Sequence, residues 1–153
     1  MCIRDRLKIV ELADLTAADL SRRLKSLPQS SVVVRLSFFR DADGKSFRVD
    51  EQVELISEAG LPVYDFWDEE GIGLGYVGGY VVTGSSQGRV VSNMLERILA
   101  GQDPDQIDVI DRSPNIPVFD KRELIRTGAE LSQLPHNAVL RFDEAPILSL
   151  IHI

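Results

Sequence analysis

SVVVRLSFF, residues 31–39, is the stretch on which the fold turns. Val32, Val33 and Val34 are consecutive β-branched residues, stiff at χ1 and well suited to a pleated strand. The run is continuous rather than alternating, which predicts a central strand covered on both faces. It ends in two aromatics, Phe38 and Phe39, followed by a charged turn, RDADG, at residues 40–44.

Outward from this strand, helical and extended patterns alternate. Upstream, residues 7–12 (LKIVEL) read as a short strand or strand end. Thr16 and Asp19 stand at capping-box spacing, and Leu15 and Leu20 at that of a hydrophobic staple. Leu20, Leu24 and Leu27 then share one helical face until Pro28 stops the helix. Downstream, Asp50 opens a second helix with Val53, Leu55 and Ile56 as its apolar positions, and Gly60 ends it. Residues 62–67 (PVYDFW) form a further strand, residues 68–79 a glycine-rich loop, and residues 80–83 a short extended segment. Ser85 or Ser86 caps a third helix that runs to Gly101 with the stripe Val91, Met94, Leu95 and Ile98. A weak strand at 106–110, a short helix framed by Asp120 and Glu123, and a last strand at 138–142 complete the pattern.

Alternation of this kind predicts an α/β protein, a Rossmann-like three-layer sandwich with a mostly parallel sheet. Ligands of such sheets sit beyond the carboxyl ends of the strands. Two of those ends carry Phe38, Phe39, Arg40 and Asp41, and Trp67 and Asp68. An aromatic wall, a cation and a carboxylate suit a small zwitterionic ligand. The same residues also have plain structural uses. Aromatics at strand ends close cores, and Arg40 can pair with Asp41 or Asp43 on the surface.

Composition narrows the function classes. The chain has 153 residues, 44% apolar and 27% charged, enough for one domain with a sizeable core. Its formal charge of −7 disfavours general nucleic-acid binding, which needs a basic surface. No apolar run approaches the roughly 20 residues of a membrane helix. The single cysteine, Cys2, excludes an internal disulfide framework and a multi-cysteine metal site. His136 stands in a polar turn after Pro135, and outside the adapter-like ends no cysteine or second histidine accompanies it, so no histidine-based metal site is expected, and no cofactor.

Three motifs have a chemical and a plain reading. Residues 73–78 match G-x-G-x-x-G, but the acidic run Asp68, Glu69 and Glu70 precedes them and a β-like stretch follows, where a dinucleotide site needs a strand leading into a helix. Residues 84–88 match G-x-S-x-G, with Ser86 as nucleophile and His136 as base; small residues opening a helix give the same string. The acidic run itself reads as acid–base carboxylates or as solvated surface.

Both ends, residues 1–6 and 148–153, resemble translated sequencing adapters and are set aside from fold reasoning. Between them, SVVVRLSFFRDADGKSF, PVYDFWD, VGGYVVTGSSQGR, SPNIPVFDKRELIRTG and LPHNAVLRF occur in one unbroken order. In this combination the chain resembles the carboxy-terminal part of the ABC-transporter substrate-binding-protein family, which has the type I periplasmic-binding fold. The closing portion is similar to versions fused as extracytoplasmic sensors to histidine kinases or diguanylate cyclases. The resemblance implies an incomplete two-lobed clamp spanning residues 7–147. Residues 7–79 would belong to the second lobe, 80–110 would pack on the first lobe, and 111–147 would form the return crossover and end. Gly78 and Gly79 would serve as hinge. A small organic solute, such as an amino acid, would bind between the lobes, with Arg40 meeting a carboxylate, Asp68 an ammonium, and Phe38, Phe39 or Trp67 the side chain. The partner would be a kinase or cyclase module of the same parent chain, or the permease if the protein served an ABC importer. The location implied is periplasmic or extracytoplasmic, anchored through other parts of the parent chain. A small α/β enzyme using the glycine loop or Ser86 is the reading from another class.

Overall fold

A computed structural model describes residues 7–67 and 69–143. The adapter-like ends and Asp68 lie outside the described residues. The chain is an α/β protein built on a five-stranded sheet whose spatial order follows the sequence, β1 (Val33–Arg35), β2 (Val63–Asp65), β3 (Gly78–Val81), β4 (Ile116–Asp120) and β5 (Val139–Arg141). β1–β2, β2–β3 and β4–β5 are parallel, and β3–β4 alone is antiparallel.

Helices cover both faces, giving three layers. On β2, Val63 and Tyr64 point to opposite sides. Val63 joins Leu20 and Leu24 of α1 (Ala17–Lys25), Val53 and Ile56 of α2 (Val49–Ser57), and Tyr76 in one buried cluster. Tyr64 packs on the other side against a cluster of Val77, Phe119 and Leu124, the last from α4 (Lys121–Arg126). Helix α3 (Gly84–Leu99) belongs to neither layer, since none of its residues is buried. Val91, Leu95 and Ile98 of its expected apolar stripe are exposed.

Caps fix where the helices start. Thr16 Oγ1 accepts from the Asp19 amide at 3.2 Å, as its spacing predicts. A second acceptor arrives from the distant turn, Asp41 Oδ2, which takes the Ala17 amide at 3.1 Å. Helix α2 begins earlier in the chain than an Asp50 cap implies. Arg48 is its cap residue, and Glu51 reaches back to the Arg48 amide at 2.8 Å. Helix α3 is capped by Thr83 rather than Ser85 or Ser86.

Several expectations need correction. β1 is three residues long and stands at the sheet edge, not at its centre. Val33 and Arg35 face the α1–α2 layer, whereas Val32, Val34 and Leu36 are each more than half exposed. Residues 7–12 form no strand, because nothing pairs with them, and Leu7 and Ile9 stay in solvent. Residues 106–110 are likewise outside the sheet, with Gln106 ending the 3-10 turn Pro104–Gln106 and Val109 exposed; the strand in this region is β4, which begins at Ile116. Pro117 hides β4 from a sequence reading, since proline loses a ladder donor. It is tolerated because β5 joins only from Val118 onward, leaving β4 an edge at that point.

Candidate functional site

A cleft of ≈ 330 Å³ opens where three parallel strands end. Phe39 comes from the chain after β1, Trp67 from the chain after β2, and Val82 from the residue after β3. The first residue of α2, Val49, closes one side. Gly84 and Gln87, from the first turn of α3, close another, and Glu70 supplies the one charged lining group among the described residues. This is the carboxyl-end crevice that parallel α/β sheets offer.

A buried ion pair beneath the cleft sets the position of Trp67. Arg35 on β1 and Asp65 on β2 are 4% and 2% exposed. Arg35 Nη2 and Nε donate to Asp65 Oδ2 at 2.5 and 2.8 Å. Arg35 Nη1 donates to Gln52 Oε1 at 2.8 Å, and the guanidinium lies 5.6 Å from the centre of the Tyr76 ring. Gln52 Nε2 in turn donates to the Phe47 carbonyl at 2.9 Å. The second oxygen of Asp65 accepts the amides of Phe66 and Trp67 at 2.7 and 3.1 Å. The indole Nε1–H of Trp67 donates to the Leu36 carbonyl at the end of β1. Trp67 is therefore held at both its backbone and its ring. Burial pushes the Tyr76 phenol upward, only partly opposed by the Arg35 charge, and its hydroxyl has no hydrogen-bond partner among the described residues.

The structure separates the residues that the sequence grouped. Phe39 and Trp67 line the cleft. Phe38 stacks on Phe47, ring centres 5.3 Å apart, and packs against the α1–α2 core. Arg40 Nε donates to the Gly44 carbonyl at 2.9 Å, closing the charged turn rather than lining the cleft. Asp41 organises the same turn by accepting the Lys45 and Asp43 amides at 2.9 and 3.1 Å besides that of Ala17. Desolvation raises its carboxyl, but the amides of Lys45, Ala17 and Asp43 outweigh that and hold it below the ordinary carboxylate value. Asp68 lies outside the described residues. Val49, Glu70, Val82, Gly84 and Gln87 join the lining unforeseen. Applying the carboxyl-end rule to the third strand as well as the first two points to Val82 and the residues after it.

Gly78 and Gly79, expected as a hinge, are inside β3. A Cβ at Gly78 would stand 2.1 Å from the Val118 carbonyl oxygen, and one at Gly79 2.2 Å from that of Asp65. Both glycines let neighbouring backbones approach closely. The G-x-G-x-x-G string runs from the 3-10 turn Glu69–Gly71 into β3, with no helix start after it. Ser86 completes the α3 cap: its amide donates to Thr83 Oγ1 at 3.0 Å and its hydroxyl to the Thr83 carbonyl at 2.9 Å. His136 is exposed in the turn before β5. No group of three or more His, Cys, Asp or Glu residues suited to a metal ion occurs among the described residues. None of their helices is long and apolar enough to cross a membrane.

No protein-family model, no curated protein and no solved structure matches this chain.

Proposed function

We propose that the chain is the ligand-binding part of an extracytoplasmic sensor domain, holding a small organic solute such as an amino acid in the cleft at the ends of β1, β2 and β3. The observation that carries this reading is the convergence of Phe39, Trp67 and Glu70 on one concavity at the carboxyl edge of the sheet. A concave apolar wall with a few polar groups is the usual form of a small-molecule site.

The excursion between β3 and β4 supports a two-lobed clamp. After β3 the chain leaves the sheet, α3 follows with no buried residue, and β4 returns antiparallel alongside β3. In the clamp reading, the apolar stripe of α3 packs on the other lobe, and solute closes the two lobes over the cleft by contacting both. The resemblance to sensor versions of the substrate-binding family supplies the output, a kinase or cyclase module in the parent chain.

A thermal-shift screen of this chain with the twenty amino acids and simple organic acids and amines tests the reading, with Trp67 emission recorded in parallel. At least one solute should raise the unfolding temperature, by about 2–4 °C for each kcal/mol of binding free energy in a domain of this size. The same solute should alter Trp67 emission, and Phe39→Ala should abolish the thermal shift. A screen without any response, or a thermal shift unchanged by Phe39→Ala, overturns the assignment of this cleft.

A further inference from the structure

The lining of the cleft specifies a charge class. Glu70 is its one charged residue among those described, and the two aromatics, Phe39 and Trp67, stand with it. The cations that flank Phe39 and Val49 in sequence are occupied away from the lining, and Arg89, two residues beyond Gln87, is exposed and outside the lining. Arg40 holds the Gly44 carbonyl, Lys45 lies 4.7 Å from the centre of the Phe47 ring, and Arg48 pairs with Asp50. Arg35, the cation beneath Trp67, is buried and already bound to Asp65 and Gln52. A ligand carboxylate entering the cleft would meet Glu70, with no guanidinium or ammonium among the described lining residues.

One feature pulls the other way. The amino end of α3 contributes Gly84 to the lining, and a helix start carries about half a positive charge. Thr83 already accepts the Ser86 and Gln87 amides, through its hydroxyl and its carbonyl. Against that partial charge stands the full negative charge of Glu70. Phe39 and Trp67 add aromatic surface, and a cation seated over a ring face is attracted by its quadrupole.

From this balance we infer that the site selects a small organic cation, an amine carrying a compact apolar body, over the matching neutral or anionic molecule. Gln87 offers the cleft a further polar group. The inference rests on the cleft being a solute site, and it replaces the zwitterion expected from Arg40 and Asp68 with an amine whose charge is met by Glu70.

Benzylamine, benzyl alcohol and benzoate share one ring and differ in charge, so they serve as probes. Each is titrated into the full chain at fixed ionic strength, with Trp67 emission as readout. Benzylamine should bind about three- to fivefold more tightly than benzyl alcohol, the preference available to an exposed carboxylate, and benzoate more weakly than either. Glu70→Gln should bring benzylamine and benzyl alcohol to parity while both still perturb Trp67. Benzoate binding as tightly as benzylamine, or an amine preference that survives Glu70→Gln, overturns the charge assignment and leaves the solute site standing. Silence of Trp67 toward all three probes removes the site and the charge assignment together.

Discussion

The costs of breaking the Arg35–Asp65 pair from each side should, added together, far exceed the cost of removing both charges at once. The pair is fully shielded, with side-chain exposures of 3% and 2% and a contact of 2.5 Å. Arg35→Met leaves the Asp65 carboxylate buried with only the Phe66 and Trp67 amides to hold it. Asp65→Asn leaves the guanidinium buried over Tyr76 with Gln52 as its remaining strong acceptor. Each single substitution should therefore destabilise the fold by about 3–5 kcal/mol, the typical cost of stranding one buried charge. The double variant strands neither, so it should cost about as much as one single, with a coupling energy of about 3–5 kcal/mol. Urea unfolding of the four proteins, followed by far-UV circular dichroism, measures this cycle. Trp67 emission gives a second readout, because the Trp67 amide rests on Asp65. Singles that add to within about 0.5 kcal/mol would refute the account, since that is the behaviour of independent sites.

Two further outcomes follow from the sheet and from α4. Gly79→Ala drives a methyl against the Asp65 carbonyl and should destabilise by about 1–3 kcal/mol or more, as overpacking does; an unchanged urea midpoint would show that β2 and β3 separate freely. Asp120 is buried at the start of α4; desolvation raises its carboxyl, but the Arg122 side chain and amide outweigh this and lower it below its ordinary 3.8. A group lowered on folding contributes stability that is complete above its unfolded value and is lost as pH falls through the folded one. Stability should thus fall below about pH 4, and Asp120→Asn should flatten that slope in unfolding curves taken from pH 5 to pH 2.

The layered α/β class was legible because periodicity and caps are local. Leu20 and Leu24 marked the buried face of α1, and Thr16 its start. What decides position within a sheet is not local. Val32, Val33 and Val34 look alike in sequence, yet an edge position buries one side of their strand and exposes the other. β4 was obscured by Pro117, whose fitness depends on where β5 begins pairing. In the cleft, Phe39 and Trp67 could be read from their strand ends. Arg40 and Asp41 could not be separated from them, because the first is taken up by how the turn closes on Gly44 and the second by how that turn folds back onto Ala17 of α1. Glu70 stood in view within an acidic run, without a pattern to mark it out from its neighbours.

The close backbone approach at Gly78 and Gly79 has a mechanical consequence. A joint needs slack, and these two positions are clamped between carbonyls of β2 and β4. Bending there would tear the ladders on both sides at once. Any swing of α3 would instead have to be absorbed beyond Val82, whose amide still donates to the Phe66 carbonyl at 3.1 Å, and before Ile116. The paired strands would then stay stiff, with the Val82 side of the cleft's lip fixed to them by its bridge to Trp67 and Gly84 standing just past that bridge.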